Sequence, residues 1–258
     1  MRYRQFFTPE PLPDAIGRSE FDSNRFGLSI GRLELGAVDE RHTPERIREL
    51  ILASGHDLVI LRYPSAQADW FARLLDPAYT LIHADTLIYW SRPLHARDAA
   101  PALTYPVTTE PDLDVLDALV RRVFADYTNH YASNPKLSGD DALDGYVEWA
   151  RTWATHPARG CLLLGPPKMP LGLVTVDVTD GTAEIALVGT APDVRDKGVA
   201  GQLMRAAQAW AVQRGGQSLV ISTQAQNVRV QRVWAREGYR PTASLNTLHV
   251  QLSWEGTS

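Results

Sequence analysis

The chain has 258 residues, a formal net charge of −4 and 44% hydrophobic residues, a composition typical of a globular protein with a sizeable core. Its 26 basic residues form no stripe of the kind that binds nucleic acid or a membrane surface. No apolar run approaches the roughly 20 residues of a membrane span, and no signal-peptide core follows Met1, so we expect a cytoplasmic protein. Arginine greatly outnumbers lysine, which favours a high-GC bacterial source.

The first half of the chain alternates apolar strand patterns with helical ones. The predicted order is strand, helix, strand, helix, strand, at 27–35, 43–53, 55–60, 70–73 and 86–90. A segment with three prolines, 91–106, predicts a linker. We therefore expect two domains, 1–105 and 106–258.

The second half begins with an amphipathic helix at about 111–126, and a second helix includes Gly145 to Ala150. The later pattern predicts strand, helix, strand, helix and strand, at 182–189, 199–214, 218–223, from Asn227, and at 247–254. Cys161 is the only cysteine, which excludes an internal disulfide. It stands in an apolar strand pattern, which indicates a buried thiol rather than a nucleophile.

A phosphate-binding pattern connects the strand at 182–189 to the helix that follows. The stretch from Arg195 to Ala200 has the form Arg-x-x-Gly-x-Ala. Glycine and alanine let a phosphate approach the unpaired N–H groups at a helix N-terminus, and the helix dipole favours its negative charge. The alternative is an ordinary α/β domain in which the glycine only begins a helix.

This motif, with the order of elements around it, resembles the acyl-CoA loop of the GCN5-related N-acetyltransferases, the GNAT superfamily. The resemblance implies an α/β (α+β) fold with a mixed central sheet flanked by helices. It also implies acetyl-CoA as cosubstrate. In the family the strand before the loop pairs with pantetheine and the loop amides hold the pyrophosphate. The implied cofactor-binding residues are Leu187, Val188, Gly189, Thr190, Arg195, Lys197, Gly198, Val199, Ala200, Gly201 and Asn227.

The N-terminal half echoes this layout but lacks the Gly-x-Ala loop before its first helix, where Gly36 to Arg41 stand instead. It therefore predicts a partial GNAT-like domain that cannot hold CoA. The segment from Ser19 to Gly27 is similar to the opening of the dTDP-fucosamine acetyltransferases, which also place a truncated domain before a complete one. That resemblance implies an amine on a nucleotide-linked sugar as acceptor.

Acyl transfer from a thioester needs a base, a polarised carbonyl and a stabilised thiolate. An N–H near Val188 or Gly189 is expected to polarise the carbonyl. Glu184 lies eleven residues before Arg195, the spacing of the catalytic glutamate in GCN5-type enzymes, and the alternative is an exposed strand residue. Related sugar acetyltransferases carry a tyrosine acid where this chain has Trp234. Tyr239 is the substitute acid, unless it only fills an aromatic packing position or solvent supplies the proton.

The segment 124–135 joins aromatic and hydrogen-bonding side chains between two predicted helices. In the family this loop lines the acceptor site, and the mixture suits a polar, carbohydrate-like acceptor. The candidate substrate-binding residues are Tyr127, His130, Tyr131 and Asn134. The alternative is that the aromatic rings only pack the helices together. No metal site is predicted, since His130 has no second ligand at suitable spacing.

The sequence thus predicts an acetyl-CoA-dependent N-acyltransferase acting on a small polar amine, with a nucleotide-linked amino sugar preferred. The alternatives are an amino acid, polyamine, antibiotic or protein N-terminus as acceptor, or a non-catalytic acyl-CoA-binding module. We expect no nucleic-acid or membrane partner. A homodimer through the last strand is compatible with the family.

Overall fold

The computed structural model describes residues 6–137, 139–194 and 197–252. Its helices are α1 (Glu20–Phe26), α2 (Pro44–Leu52), α3 (Trp70–Arg73), α4 (Leu113–Phe124), α5 (Gly139–Thr155), α6 (Val199–Val212) and α7 (Val228–Arg236). Its strands are β1 (Gly17–Arg18), β2 (Ile30–Glu34), β3 (Leu58–Pro64), β4 (Tyr79–Pro93), β5 (Val107–Thr108), β6 (Gly160–Leu164), β7 (Gly172–Thr179), β8 (Thr182–Thr190), β9 (Ser218–Gln224) and β10 (Arg240–Leu252).

The chain forms two compact units that are not consecutive in sequence. The first takes the residues up to Ile88, then Thr128–Ala142 and the chain from Ala243 onward. The second takes Tyr89–Tyr127 and Leu143–Thr242. The strand order is β1-β2-β3-β10-β4 in the first unit and β4-β9-β8-β7-β6-β5 in the second. Parallel and antiparallel pairs with flanking helices confirm the predicted mixed α/β fold.

In the first unit, β2, α2 and β3 form a strand–helix–strand element with parallel strands. The helix buries the three side chains that the periodicity predicts, Ile47, Leu50 and Ile51, in a core with Leu33 and Leu61. Burial of one such side chain stabilises a fold by about 1.5–3 kcal/mol, so this face of α2 fixes the helix on its sheet.

In the second unit, β8, α6 and β9 repeat the same arrangement, again with parallel strands. The apolar stripe of α6 packs on one face of the sheet, with Leu203 fully buried and Trp210 6% exposed. On the other face α4 packs through Leu116, Leu119 and Val120. The phosphate-binding pattern lies between the end of β8 at Thr190 and the first turn of α6, which begins at Val199.

Two predicted segments differ from the structure. The predicted linker 91–106 is ordered, because Arg92 pairs with Asp98 at 3.0 Å and Leu94 is only 8% exposed. The last strand begins at Arg240 rather than 247, since exposed polar residues at its start hide the strand pattern. Among the described residues, no helix combines the length and the apolar character of a membrane span.

Candidate functional site

A cavity of about 710 Å³ lies in the second unit. Its walls come from the end of β8, the start of α6, the exposed side of α7 and the end of α4. The lining residues are Val123, Phe124, Tyr127, Val188, Gly189, Thr190, Val194, Gly198, Val199, Ala200, Gly201, Arg205, Asn227, Arg229, Val230, Arg232, Val233, Arg236 and Glu237. Eight of the eleven predicted cofactor-binding residues, 188–190, 198–201 and Asn227, line this one cavity together.

The end of β8 leaves backbone groups open to the cavity. The register between β8 and β9 runs from the pair Thr182 and Ser218 to the pair Ile185 and Ile221, and it stops there. An irregularity against β7 follows immediately, where Val176 faces Ile185 but Thr175 faces Leu187. A bulge at this position bends a strand away from its neighbour. Residues 188–190 therefore form a strand edge that a ligand can pair with.

Leu187 stands apart from this edge. Its side chain packs in the core with α4, and its N–H donates to the buried Thr175 hydroxyl at 2.8 Å. Gly189 lines the cavity. Its position requires glycine, because an added Cβ would lie 2.2 Å from Val123 Cγ1. The amides that remain for a ligand are those after Leu187.

The start of α6 has no side-chain cap, so its first backbone N–H groups are left for a phosphate. Gly198 is the N-cap residue with φ of 74°, a conformation that favours glycine, and no side chain caps the helix. The first amides of an α-helix have no partner within the helix. Lys197 is exposed outside the cavity lining, and its N–H donates to the Val194 carbonyl at 3.3 Å. Arg195 lies outside the described residues.

Arginines on α7 give the cavity a basic wall that the sequence reasoning missed. Arg229, Arg232 and Arg236 recur at helical spacing and all line the cavity. Arg205 on α6 also lines it, but Glu237 holds that guanidinium at 2.7 Å. The spacing of the α7 arginines could have predicted this wall. Residues three and four apart lie on one side of a helix, so the arginines share the side of α7 that also carries Asn227.

Two polar side chains at the cavity have defined partners. The Tyr127 hydroxyl donates to Gln224 Oε1 at 2.5 Å, and its ring packs edge-on against Phe124 with centroids 5.7 Å apart. The Asn227 amide donates to the Thr223 hydroxyl at 3.1 Å. Tyr127 thus brings a fixed phenol to the cavity wall, close in sequence to the α4 residues that shape it.

The two predicted catalytic residues do not line the cavity. Glu184 lies on β8 opposite Asp177, four residues before Val188, which corresponds to about 13 Å along a strand. Tyr239 is 2% exposed in the core, where its hydroxyl accepts from Gln208 Nε2 at 3.2 Å, and burial raises its pKa above the ordinary range. Trp234 is also a core residue, edge-on to Trp90. The catalytic roles of Glu184 and Tyr239 stay predictions.

Of the predicted acceptor residues, Tyr127 alone lines the cavity. His130, Tyr131 and Asn134 belong to the first unit. There His130 Nδ1 lies 2.9 Å from His249 Nε2, and the Tyr131 hydroxyl donates to the buried Asp22 at 2.6 Å. Burial raises the pKa of Tyr131 above its ordinary range. Asn134 Oδ1 accepts the backbone N–H of Lys136 at 3.0 Å.

Two further kinds of chemistry were considered, a nucleophilic thiol and a metal site. Cys161 is 1% exposed, and burial raises the pKa of its thiol to about 12, as expected for an inert core thiol. Within the three described ranges, no three His, Cys, Asp or Glu side chains come together as a set that could hold a metal ion.

Comparisons with known proteins find a family model that matches part of the chain and solved structures that are similar to most of it. Residues 124–239 match the model of the Acetyltransferase (GNAT) family. A functionally unknown conserved protein from Staphylococcus epidermidis is similar over 98% of both chains, with 10% identity and a TM-score of 0.59. A GCN5-related N-acetyltransferase from Sphaerobacter thermophilus matches over 81% of this chain and 64% of its own, with 15% identity and a TM-score of 0.54.

A tandem GNAT protein from the clavulanic acid biosynthesis pathway matches over 85% of this chain and 74% of its own, with 14% identity and a TM-score of 0.56. At these identities the structural likenesses show the fold alone. No curated protein matches the chain.

Proposed function

We propose that the chain is an N-acetyltransferase whose cavity binds acetyl-CoA for transfer to a small polar amine, since residues 124–239 match the model of the Acetyltransferase (GNAT) family. The observation that carries the proposal is the meeting of two open backbone elements in one cavity. The unpaired edge of β8 adjoins the uncapped start of α6, and both line the same space.

Each open element fits one part of acetyl-CoA. The strand edge at 188–190 offers N–H and C=O groups to the two amides of pantetheine, as an added strand would. The amides of Val199, Ala200 and Gly201 and the positive end of the helix dipole suit the pyrophosphate. Arg232 and Arg236 add positive charge on the opposite wall, where the remaining phosphate of CoA would be neutralised.

In the proposed transfer step, three groups of the chain have a role: a backbone N–H, a phenol and a carboxylate. An N–H at Val188 or Gly189 polarises the thioester carbonyl, and the amine nitrogen attacks its carbon while the C–S bond breaks. Tyr127 lies on the cavity wall and donates its phenol proton to the leaving thiolate, a role for which its position is better suited than that of the buried Tyr239. Glu184 accepts the proton that the amine loses, through intervening water.

The proposed acceptor is an amino sugar, in particular a nucleotide-linked one. Its support is the similarity of the segment 19–27 to the dTDP-fucosamine acetyltransferases and the position of the Tyr127 phenol on the cavity wall. Such an acceptor implies a cytoplasmic bacterial enzyme. Amino acids, polyamines, antibiotics and protein N-termini are the competing acceptors.

Residues 1–105 are proposed to form a partial GNAT-like domain that has no CoA loop. The helix of its strand–helix–strand element begins with Thr43, whose hydroxyl accepts the N–H of Arg46 at 3.2 Å, and Pro44 follows. Proline has no N–H, so this helix start offers a phosphate fewer donors than α6 does.

The test is CoA-thiol release from acetyl-CoA with a panel of amines: dTDP- and UDP-linked amino sugars, free amino sugars, amino acids, polyamines and a peptide. Turnover with one nucleotide sugar supports the whole proposal. Turnover with another amine keeps the acetyl transfer and removes the sugar assignment. Acetyl-CoA binding without turnover of any amine contradicts the proposed reaction. In the same assay, an unchanged rate for Glu184→Gln removes Glu184 as base.

A further inference from the structure

One ion pair lies within the cavity of the second unit, close to the start of α6. Arg205 Nη1 donates to Glu237 Oε1 at 2.7 Å, and both residues line the cavity. Arg205 lies one turn after Gly201 on α6, and Glu237 directly follows the last residue of α7. The pair therefore connects the two helices within the first two turns of α6.

The carboxylate of this pair lies against Gly201, in the first turn of α6. A Cβ added at Gly201 would lie 2.6 Å from Glu237 Oε1 and 3.4 Å from Arg205 Nη1. The ion pair thus occupies the space that a side chain at position 201 would take. Gly201 is also one of the three residues whose amides the proposed function assigns to the pyrophosphate. A negative charge of the protein therefore lies beside the proposed phosphate site.

The charge of Glu237 is opposite to that of its surroundings. Of the described residues that line the cavity, Glu237 is the only acidic one, whereas four are arginines, namely Arg205, Arg229, Arg232 and Arg236. The Glu237 side chain is 17% exposed, and a charge that is partly withdrawn from water interacts more strongly with its neighbours. Its carboxylate therefore opposes a phosphate in the cavity and neutralises Arg205.

The end of α7 does not depend on this carboxylate. The backbone N–H of Glu237 donates to the Val233 carbonyl at 3.0 Å, and its own carbonyl accepts from Arg92 Nη1 at 3.1 Å. Gly238, with φ of 84°, then turns the chain out of the helix. Backbone contacts thus fix this residue, and a partly exposed ion pair adds little to stability. A purely structural role explains the carboxylate poorly.

We propose that Glu237 is an internal anion that competes with the phosphates of acetyl-CoA for Arg205 and so lowers the affinity of the cavity for its cosubstrate. In the structure the guanidinium of Arg205 pairs with Glu237. On binding of acetyl-CoA it turns to a phosphate oxygen, and on release of CoA the carboxylate takes it back. That the competing ligand is acetyl-CoA rests on the proposed function, whereas the competition itself rests on the ion pair.

The test titrates acetyl-CoA calorimetrically into the wild type, Glu237→Gln and Asp117→Asn. Glutamine keeps the shape of the side chain without its charge, so the affinity of Glu237→Gln for acetyl-CoA should rise about five- to tenfold. Asp117→Asn is the matched control and should change the affinity less than about twofold. Asp117 also pairs with an arginine at 2.7 Å, its side chain is 25% exposed, and it lies outside the cavity lining.

A variant of the other member of the pair separates this proposal from a structural role. Arg205→Gln leaves the carboxylate without its cation, so acetyl-CoA should bind about tenfold more weakly than to the wild type. The two variants thus change the affinity in opposite directions. Loss of a merely structural pair would change it in the same direction in both.

Two further probes assign the effect to the phosphates. Inorganic pyrophosphate should bind Glu237→Gln more tightly than the wild type, whereas S-acetylpantetheine, which has no phosphate, should bind both alike. Equal tightening of S-acetylpantetheine overturns the inference. So does equal tightening of acetyl-CoA in Asp117→Asn, or unchanged or weaker binding of acetyl-CoA by Glu237→Gln.

The same titrations separate this inference from the proposed function. If acetyl-CoA or pyrophosphate binds Glu237→Gln more tightly but no amine releases thiol, the proposed reaction fails and the competition by Glu237 stands. If amines release thiol but Glu237→Gln binds acetyl-CoA as the wild type does, the reaction stands and the competition fails. Absence of binding by both acetyl-CoA and pyrophosphate overturns both proposals.

Discussion

Two strand–helix–strand elements of the same architecture differ at one point, the residue before the helix. In β8–α6–β9 that residue is Gly198 with φ of 74°, and no side chain caps the helix. In β2–α2–β3 it is Thr43, which caps the helix, and Pro44 follows. Both helices bury an apolar stripe on their sheet, so the difference teaches that the fold accepts a helix start with or without a side-chain cap. Only the open one leaves donors for an anion.

The largest expected effect comes from giving α6 the cap residue of α2, as Gly198→Thr. A β-branched residue resists a positive φ, and its hydroxyl would occupy the helix amides. Acetyl-CoA affinity should fall roughly a hundredfold, the loss of about two charge-assisted hydrogen bonds. Calorimetric titration measures it.

The reciprocal control is Thr43→Ala, which should leave acetyl-CoA affinity unchanged and lower the free energy of unfolding by about 1 kcal/mol. If Thr43→Ala weakened acetyl-CoA binding as much as Gly198→Thr, the comparison between the two helix starts would be wrong.

The next effect concerns the two tyrosines of the second unit, Tyr127 at the cavity and Tyr239 in the core. Tyr127→Phe should lower kcat about tenfold with little change in the KM of acetyl-CoA, because a thiolate is a good leaving group even without an acid. Tyr239→Phe keeps the ring that fills the core and should change kcat less than twofold. The reverse pattern in steady-state kinetics would restore Tyr239 as the acid.

A smaller effect is expected from the basic wall of the cavity. The proposal gives the first unit no matching wall. The double variant Arg232→Gln/Arg236→Gln should raise the KM of acetyl-CoA about fivefold, within the range of partly exposed charge-assisted contacts. With 3′-dephospho-acetyl-CoA the same variant should match the wild type. Arg214→Gln is the control, since Arg214 follows the C-terminal end of α6 and its guanidinium stacks on Trp210. Equal losses with both cosubstrates would place the arginines elsewhere than at the 3′-phosphate.

The last effect is on stability rather than on binding or catalysis, and it belongs to the first unit. Burial lowers the pKa of His249 to about 4 and that of His130 well below its ordinary value. Because the unfolded chain takes up protons near pH 6.5 and the folded chain does not, stability should be constant above that pH and fall as the pH drops toward 4. The loss from His249 is on the order of 1–2 kcal/mol at pH 5.

Chemical denaturation at pH 7.5, 6 and 5 checks this dependence. His249→Gln should flatten it, whereas His83→Gln, an exposed residue of β4, should not. An unchanged slope in His249→Gln would mean that other groups govern the acid response.

Much of the second unit follows from local sequence. The periodicity of α6 and the glycine before it lie within one stretch of chain, so strand, loop and helix could be predicted together, with α6 ending at Val212 rather than 214. The Asn227 start of α7 and the Gly238 stop were equally local. These patterns predicted eight of the nineteen residues that line the cavity.

The rest depends on partners distant in sequence. The bond between Tyr131 and Asp22 joins residues 109 positions apart, and the histidine pair joins residues 119 apart. No local pattern in the segment 124–135 reveals that Tyr127 belongs to one unit and His130 to the other. The bulge after Ile185 is similarly hidden, because it depends on the register with β7.

The most direct test of the central claim is amide hydrogen exchange of the whole chain, by mass spectrometry, with and without acetyl-CoA. The account predicts slower exchange in peptides that cover 186–201 and 227–236, and no change in peptides that cover 30–46. Protection at 30–46, or none at 186–201 under saturating acetyl-CoA, would contradict it.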